Sequence, residues 1–445
     1  MTFGVEMLLK RLAEFSEIAG QPARYLIAFS GGLDSTVLTH VLASSRESHR
    51  VPILAVHIDH GLQAESAAWR DACETFARQL GIDFLARQVA VALDSGLGPE
   101  ASAREARYAE LRALVEPGDW LLSAHHQDDQ AETLLLNLMR GSGPGGLAGI
   151  GSIRPFAAGW LARPLLDVPR DALRDYAEAA ALGWIDDPSN QDRVLDRNYL
   201  RHEVLPRLDK RWPDAAGRLR RSAGLAGEAA QLLSELGEID CANLGDCPGR
   251  LALDQLRELS GARQRNVLRH AVRLLGLPMP GASQLQNIVD ELVPARDDAQ
   301  PLVRWPGAEV RRYRNQLYII ADDALGMACD SGRSIGGHRV DVGPGLGTLV
   351  FTPGASVGLS DTVINGGLEL RFRAGGEDFQ PSGQSHTRKL KKLLQEAGVV
   401  PWMRDRLPLL YANGQLVAVG DLWIATHAAS EPGVAVGWED RPALY

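Results

Sequence analysis

The first 215 positions of the chain alternate between two hydrophobic rhythms. Largely apolar runs at residues 25–29, 51–57, 84–91 and 120–124 read as buried strands. Between them, Leu8, Leu9, Leu12, Phe15 and Ile18 recur at helical spacing, and residues 36–43, 64–80 and the stretch after Gly98 repeat that rhythm. Strands alternating with helices predict an α/β fold with an N-terminal, Rossmann-like parallel sheet. The helix over residues 7–18 is expected to cover one edge of that sheet. Residues 216–320 then read mainly as helices, with one apolar side from Leu219 to Leu236 and another from Val267 to Leu275. Near Cys329-Asp330-Ser331, small and polar residues interrupt the pattern, and short apolar runs with many glycines predict a small α+β domain. The expected domains are 1–215, 216–325 and 326–445, since 445 residues exceed one typical core.

Composition narrows the class. Hydrophobic residues make up 45% of the chain, so folding need not depend on disulfides. Cys73, Cys241, Cys247 and Cys329 form no CxxC pair, and are expected to be buried as small apolar residues in a reducing compartment. The N-terminus lacks a charged-then-apolar signal pattern and no stretch reaches membrane-spanning length, so the expectation is a cytoplasmic enzyme. The formal charge of −9 argues against a nucleic-acid partner, but its distribution argues the other way. Residues 1–150 hold 19 acids against 12 bases, whereas residues 193–221 hold nine bases against four acids. Further basic islands lie at Arg263, Arg265, Arg269 and Arg273, at Arg304, Arg311, Arg312 and Arg314, and at residues 388–392. Such islands can contact phosphates or serve as solvated surface, and Trp305 and Tyr313 among the arginines suit either base stacking or core packing.

The chemistry concentrates behind the first and fourth strands. Ser30-Gly31-Gly32-Leu33-Asp34-Ser35 is an anion cradle: paired glycines let backbone N–H groups turn inward, Ser30 and Ser35 add hydroxyls, and a helix begins at once. It lacks the lysine and spacing of a Walker A loop. Asp34 can help arrange Mg²⁺ around phosphates or cap the helix. The fourth strand feeds His125-His126-Gln127-Asp128-Asp129-Gln130-Ala131-Glu132. A helix starting near Asp128 puts Asp129 and Glu132 on neighbouring surface positions with His125 at its entrance. That cluster can hold Mg²⁺, receive an ammonium group or position an amine. A zinc hydrolase is disfavoured because there is neither an HExxH helix nor a cysteine set. Upstream, Glu100, Arg104 and Arg107 fall at helical separations beside Tyr108, so either arginine can stabilise phosphate or simply pair with the glutamate. His57 and His60 arrive at the end of the second strand, where an α/β fold places ligands, and are not read as metal ligands. Gly141 to Gly151 reads as a closing active-site loop or a plain flexible turn.

The Ser30–Ser35 segment resembles the SGGxDS loop of the ATP pyrophosphatases. Across roughly residues 20–425 the order of motifs is similar to the tRNA(Ile)-lysidine synthetase family: the loop, His57-Ile58-Asp59-His60-Gly61-Leu62, ExxxRxxRY at Glu100–Tyr108, the His125–Glu132 segment, the glycine-rich segment, Arg163-Pro164-Leu165-Leu166, and Arg197-Asn198 with Arg201. The resemblance implies ATP and Mg²⁺ bound by Ser30, Gly31, Gly32, Leu33, Asp34, Ser35 and His57, with Asp34 at the metal. It assigns His125, Asp129 and Glu132 to the reaction and to lysine recognition, with Arg104 and Arg107 beside them. It implies adenylation of the wobble cytidine at C2 in a CAU-anticodon isoleucine tRNA, then attack by free lysine. The helical region would meet the tRNA, and so would the C-terminal domain with Lys389, Lys391 and Lys392; a homodimer is compatible with the family. The enzyme alternatives are a tRNA 2-thiolation enzyme or an amidotransferase synthetase, opposed by the missing CxxC and N-terminal cysteine. A noncatalytic RNA-binding module is opposed by retention of the loop and acidic motifs.

Overall fold

A computed structural model describes residues 3–61, 65–90, 99–296, 299, 301–322 and 332–444, without side chains at 99–101. The expected connection at Asp94–Gly98, the Glu100 side chain and the breakpoint at Cys329–Ser331 lie outside the described residues. The chain forms two compact units, Met1–Leu232 and Leu233–Tyr445.

The first unit runs α1 (Val5–Ala19), β1 (Arg24–Ala28), α2 (Leu33–Ser44), α3 (Arg46–His49), β2 (Ile53–Asp59), α4 (Ser66–Gln79), β3 (Asp83–Gln88), α5 (Pro99–Leu114), β4 (Asp119–Leu122), α6 (Gln127–Met139), α7 (Pro144–Leu147), β5 (Ile153–Phe156), β6 (Gly159–Ala162), α8 (Arg170–Ala179), α9 (Asp196–Tyr199) and α10 (Leu205–Arg211). Its six strands lie in the order β3-β2-β1-β4-β6-β5, all parallel except the edge strand β5. The chain leaves β1 outward through β2 and β3, then returns to β4 on the other side of β1. A crevice therefore opens beyond the C-terminal ends of β1 and β4, where an open α/β sheet binds its ligand. Both chemical motifs emerge there.

The sheet is buried on both faces. Leu8, Leu12, Val37, Leu38, Leu42, Ala77 and Leu173 cover one face from α1, α2, α4 and α8, while Leu111 and Val115 cover the other from α5 and its end. Phe15 of α1 sits 6.4 Å from the ring of Trp120 in β4, so α1 covers the face of the sheet rather than an edge. Its apolar stripe is three residues wide and needs a broad surface to disappear into.

α11 (Ala215–Leu244) carries the chain from the first unit into the second. The second unit continues with β7 (Arg250–Ala252), α12 (Leu253–Glu258), α13 (Gly261–Leu274), α14 (Ala282–Asn287), β8 (Leu302–Trp305), β9 (Ala308–Tyr313) and β10 (Gln316–Ala321). The helical reading of this stretch holds for its first part; its end is a four-stranded antiparallel sheet, β7-β10-β9-β8. Two hairpins join β8, β9 and β10, with Pro306-Gly307 and Arg314-Asn315 as the connections, and β7 adds to β10; both Gly307 and Arg314 take positive φ, at 86° and 51°. Trp305 is 5% exposed and its indole donates to Pro278 O at 2.7 Å, which makes it a core residue and not a stacking platform. Beyond residue 332, two five-stranded sheets share a core with the helix Leu390–Glu396, whose Leu390, Leu393 and Leu394 are buried while Lys391 and Lys392 stay exposed. Cys73 and Cys241 are buried as expected; Cys247 is exposed, because it stands in the turn that joins α11 to β7.

Candidate active site

β1 ends by handing the chain to the glycine loop. Gly31 has φ of +82°, and a Cβ there would stand 2.5 Å from Ile185 Cδ1 and 2.7 Å from Cys73 Sγ, so only glycine fits. Its carbonyl accepts from the Ile185 N–H at 2.9 Å and the Thr36 hydroxyl at 3.1 Å, which fixes the loop from behind. Ser30 Oγ and Ser35 Oγ lie 3.1 Å apart, and Gly32 caps α2 with extended backbone. The first amides of α2, at Leu33, Asp34 and Ser35, have no helical acceptor and face the crevice. Leu33 itself is 5% exposed and packs in the core, so it offers a ligand its amide alone. His57, buried on β2, bonds Phe29 O through Nδ1 at 3.0 Å and braces the end of β1. Burial lowers its pKa, leaving the ring neutral.

The second motif is built on α6. His126, 1% exposed, is the N-cap of that helix: its Nδ1 accepts from the Asp128 N–H at 3.3 Å, and its own N–H donates to Asp129 Oδ2 at 2.9 Å. With Nδ1 accepting, Nε2 carries the proton, and it lies 3.6 Å from Asp34 Oδ2 and 3.4 Å from Asp129 Oδ2. Burial would lower this histidine, but Asp129 and Asp34 outweigh it and raise its pKa. Asp34 also faces Arg170 Nε at 3.8 Å from the start of α8, and its buried Oδ1 has no hydrogen-bond partner.

Arg201 comes from a π-helical turn at Leu200–Val204 and closes the acidic side. It donates from Nε to Glu132 Oε1 at 2.7 Å, and from Nη2 to Glu132 Oε2 and Asp129 Oδ1, both at 3.2 Å. Burial pushes Asp129 up, but His126, His125 and Arg201 together bring it down to about 2. Glu132 is fully buried, and burial raises its pKa while Arg201 pulls the other way. The short two-point contact with an always-charged guanidinium keeps it ionised at neutral pH.

His125 stands apart from this group. Its Nδ1 lies 2.6 Å from Ser123 Oγ, and burial first, then Arg163, Arg104 and Arg107, depress it to about 3 against the opposing pull of Asp129. It is a neutral ring between an acidic and a basic cluster. Arg104 and Arg107 stack on Tyr108 and belong to the basic side. The glycine-rich segment is a latched structure rather than a free loop: Gln130 donates to Ala148 O and Ile150 O at 3.1 and 3.2 Å and accepts from Ile150 N at 2.6 Å, and Asn137 holds Gly146 O at 2.7 Å.

Thus the structure joins Asp34, Asp129 and Glu132, sets His125, Arg104 and Arg107 beside them, and gives His57 a bracing position. His126 and Arg170 were given no role of their own from the sequence, and Arg201 was expected only as part of the family-like stretch with Arg197 and Asn198. The first carried a signal, because His126 followed three residues later by Asp129 is a capping-box spacing. Among the described residues no cluster of three metal-ligand side chains forms. Asp34 Oδ1, beside the phosphate cradle, suits an ion that takes one protein carboxylate and completes its shell from phosphates. A cavity of about 560 Å³ behind the loop is lined by Phe29, Gly31, Cys73, Phe76, Trp184 and Ile185, and none of the carboxylates just described reaches it.

A nucleotide-type cradle after the first strand, an acidic helix after the fourth and this strand order define a PP-loop domain, and the PP-loop domain model matches residues 6–208. The models for the TilS substrate binding domain and the TilS substrate C-terminal domain match residues 251–318 and 368–438. The chain is 42% identical to tRNA(Ile)-lysidine synthase of Alkalilimnicola ehrlichii over 98% of both chains. It is 40% identical to that of Methylococcus capsulatus over 93% of this chain and 96% of the other. For Xanthomonas campestris the identity is 41%, over 92% of this chain and 95% of the other. The chain belongs to the tRNA(Ile)-lysidine synthase family.

Proposed function

We propose that this protein is an ATP-dependent ligase that writes lysidine into a CAU-anticodon isoleucine tRNA. In the first step the C2 carbonyl oxygen of the wobble cytidine attacks the α-phosphorus of ATP and pyrophosphate leaves. In the second the ε-amine of free lysine attacks C2, AMP leaves with the oxygen, and the amine gives up its proton. The observation that carries this reading is His126, whose Nε2 faces Asp34 of the phosphate loop and Asp129 of the acidic helix together. It makes one continuous site of a nucleotide cradle and an acidic pocket.

The loop amides and the Ser30 and Ser35 hydroxyls hold phosphate oxygens, and Asp34 would hold Mg²⁺, which neutralises charge on the phosphates. Arg170 and His126 orient Asp34. Asp129 and Glu132 give the pocket its negative field, which attracts an ammonium; Arg201 keeps both carboxylates ionised and aimed. His125, neutral near pH 7, offers a polar ring without adding charge. Residues 216–325 and 326–445 then serve as tRNA-recognising domains, with Lys391 and Lys392 available to phosphates while Lys389 is held by Asp378 at 2.9 Å. The family assignment favours the cytoplasm, a possible second copy as a homodimer, and no membrane; no helix among the described residues is long and apolar enough to cross one.

The decisive test is mass analysis of the isoleucine tRNA after incubation with ATP, Mg²⁺ and lysine. Lysine at the wobble nucleotide with one AMP per product is the expected result; lysine-independent thiolation or no product refutes it. Asp34→Ala should suppress adenylation and leave most tRNA affinity, and normal AMP formation by that variant would remove Asp34 from the chemistry.

A further inference from the structure

Five arginines gather on the α5 side of the first sheet, and the reaction above needs at most two of them. The Arg104 and Arg107 guanidiniums lie 5.1 and 5.6 Å from the centre of the Tyr108 ring. Arg112 and Arg154 lie 5.3 and 5.5 Å from that of Phe156, and the two rings meet edge to face at 6.0 Å. Arg163, just past β6, is 5% exposed; it lies near the Tyr108 hydroxyl, donates to Gly151 O at 2.6 Å, and its buried Nε has no partner. Among the described residues no carboxylate pairs with any of the five, and the nearby Glu110 of α5 is 3.5 Å from Arg87.

Among the described residues this positive surface has no paired carboxylate. Burial lowers the pKa of Arg107 and of Arg163, with neighbouring arginines adding to it, whereas the carboxylate-paired Arg201 is raised. Guanidiniums removed from water beside like charges call for an anion. Stacking on a ring holds each planar fork while leaving its in-plane donors free.

The topology gives the surface a direction. α5 joins the C-terminal end of β3 to the N-terminal end of β4, so it runs back against the strands. Arg104 is therefore nearer the catalytic edge and Arg112 nearer the opposite one, about 12 Å away at about 1.5 Å per residue. Phe156 pairs with Gly159 at the start of β6, which also lies at that far edge. The phosphates of one nucleotide can use Arg107 and Arg163 beside His125, whereas the exposed Arg112 and Arg154, farther along the same face, suit an anion that repeats.

Building on the function proposed above, we propose that this arginine face is a phosphodiester track for single-stranded RNA, holding the backbone of the strand whose base enters the active site. The ladder of cations on aromatic rings suits a backbone read without regard to sequence.

The test is fluorescence anisotropy of a short single-stranded RNA bearing the CAU anticodon, titrated with full-length protein at several salt concentrations. R112Q/R154Q should weaken binding roughly tenfold and reduce the slope of log affinity against log salt by about 1.4, at about 0.7 per phosphate contact. R174Q removes a charge from the exposed side of α8, on the opposite face of the sheet, and should leave affinity and slope at the wild-type values. Unchanged binding by R112Q/R154Q, or an equal loss in R174Q, overturns the track. So does a loss seen for inorganic pyrophosphate alone and not for RNA. Because the readout is binding, a protein that binds the RNA through these arginines yet makes no lysidine would refute the function and leave the track standing.

Discussion

Arg201→Met isolates what the guanidinium does for the acidic pocket. Glu132 is fully buried and Arg201 meets both its oxygens, at 2.7 and 3.2 Å, while also reaching Asp129 at 3.2 Å. Removing one partner of a buried pair costs about 3–5 kcal/mol; because the Arg201 side chain is 22% exposed, about 3 kcal/mol is expected at neutral pH. The loss should depend on pH in a definite direction. Burial already raises the folded pKa of Glu132, and without Arg201 it rises further. The folded state then holds a proton that the unfolded chain has released, so stability falls as pH rises from the unfolded pKa to the folded one. The Glu132 part of the penalty is absent below the unfolded value and complete above the folded one, while the part from Asp129, which Arg201 helps hold down to about 2, persists to lower pH. Hydrogen exchange at the backbone amides of α6 measures it locally, independent of the second unit. Protection in the variant should recover between pH 7.5 and pH 5 relative to wild type, and Glu132→Gln in the Arg201→Met background should recover about half or more of the loss at pH 7.5. Equal penalties at both pH values, or a double variant as unstable as the two losses added, would refute the pairing argument.

Gly31→Ala places a methyl against Ile185 and Cys73 in a left-handed conformation, so ATP KM should rise at least tenfold, and Ile185→Ala in the same chain should restore part of it. Gln130→Ala deletes three hydrogen bonds between α6 and residues 148–150, a loss of about 2 kcal/mol, and limited proteolysis should cut between residues 141 and 151 faster than in wild type. His125, held to about 3, is deprotonated across pH 5–9, so the pH profile of kcat/KM should keep its shape in His125→Asn even where its height falls. A vanished limb in that variant would show that the histidine titrates in the working range.

What local spacing encodes, the sequence determined by itself. The apolar runs and the glycines after Phe29 specify strand, cradle and helix within twenty consecutive residues, and Asp129 and Glu132 share a helix side because the α-helix repeats every 3.6 residues. The alternation of such units dictated a parallel sheet. Tertiary structure decided which side chains meet across it. His126 reaches Asp34 only because the strand order sets β4 beside β1, and Arg201 finds Glu132 from 69 residues away. Strand pairing and packing also reassigned residues whose type had suggested a surface role: Arg304, across the β8–β9 hairpin, and Arg311, two residues on, are consumed by the buried Glu309, and Trp305 packs inward. Packing also turned the glycine-rich segment from a loop free to move into one latched by Gln130. Periodicity constrains neighbours along the chain; which charge meets which counter-charge follows from packing, since burial penalises any ion left without a partner.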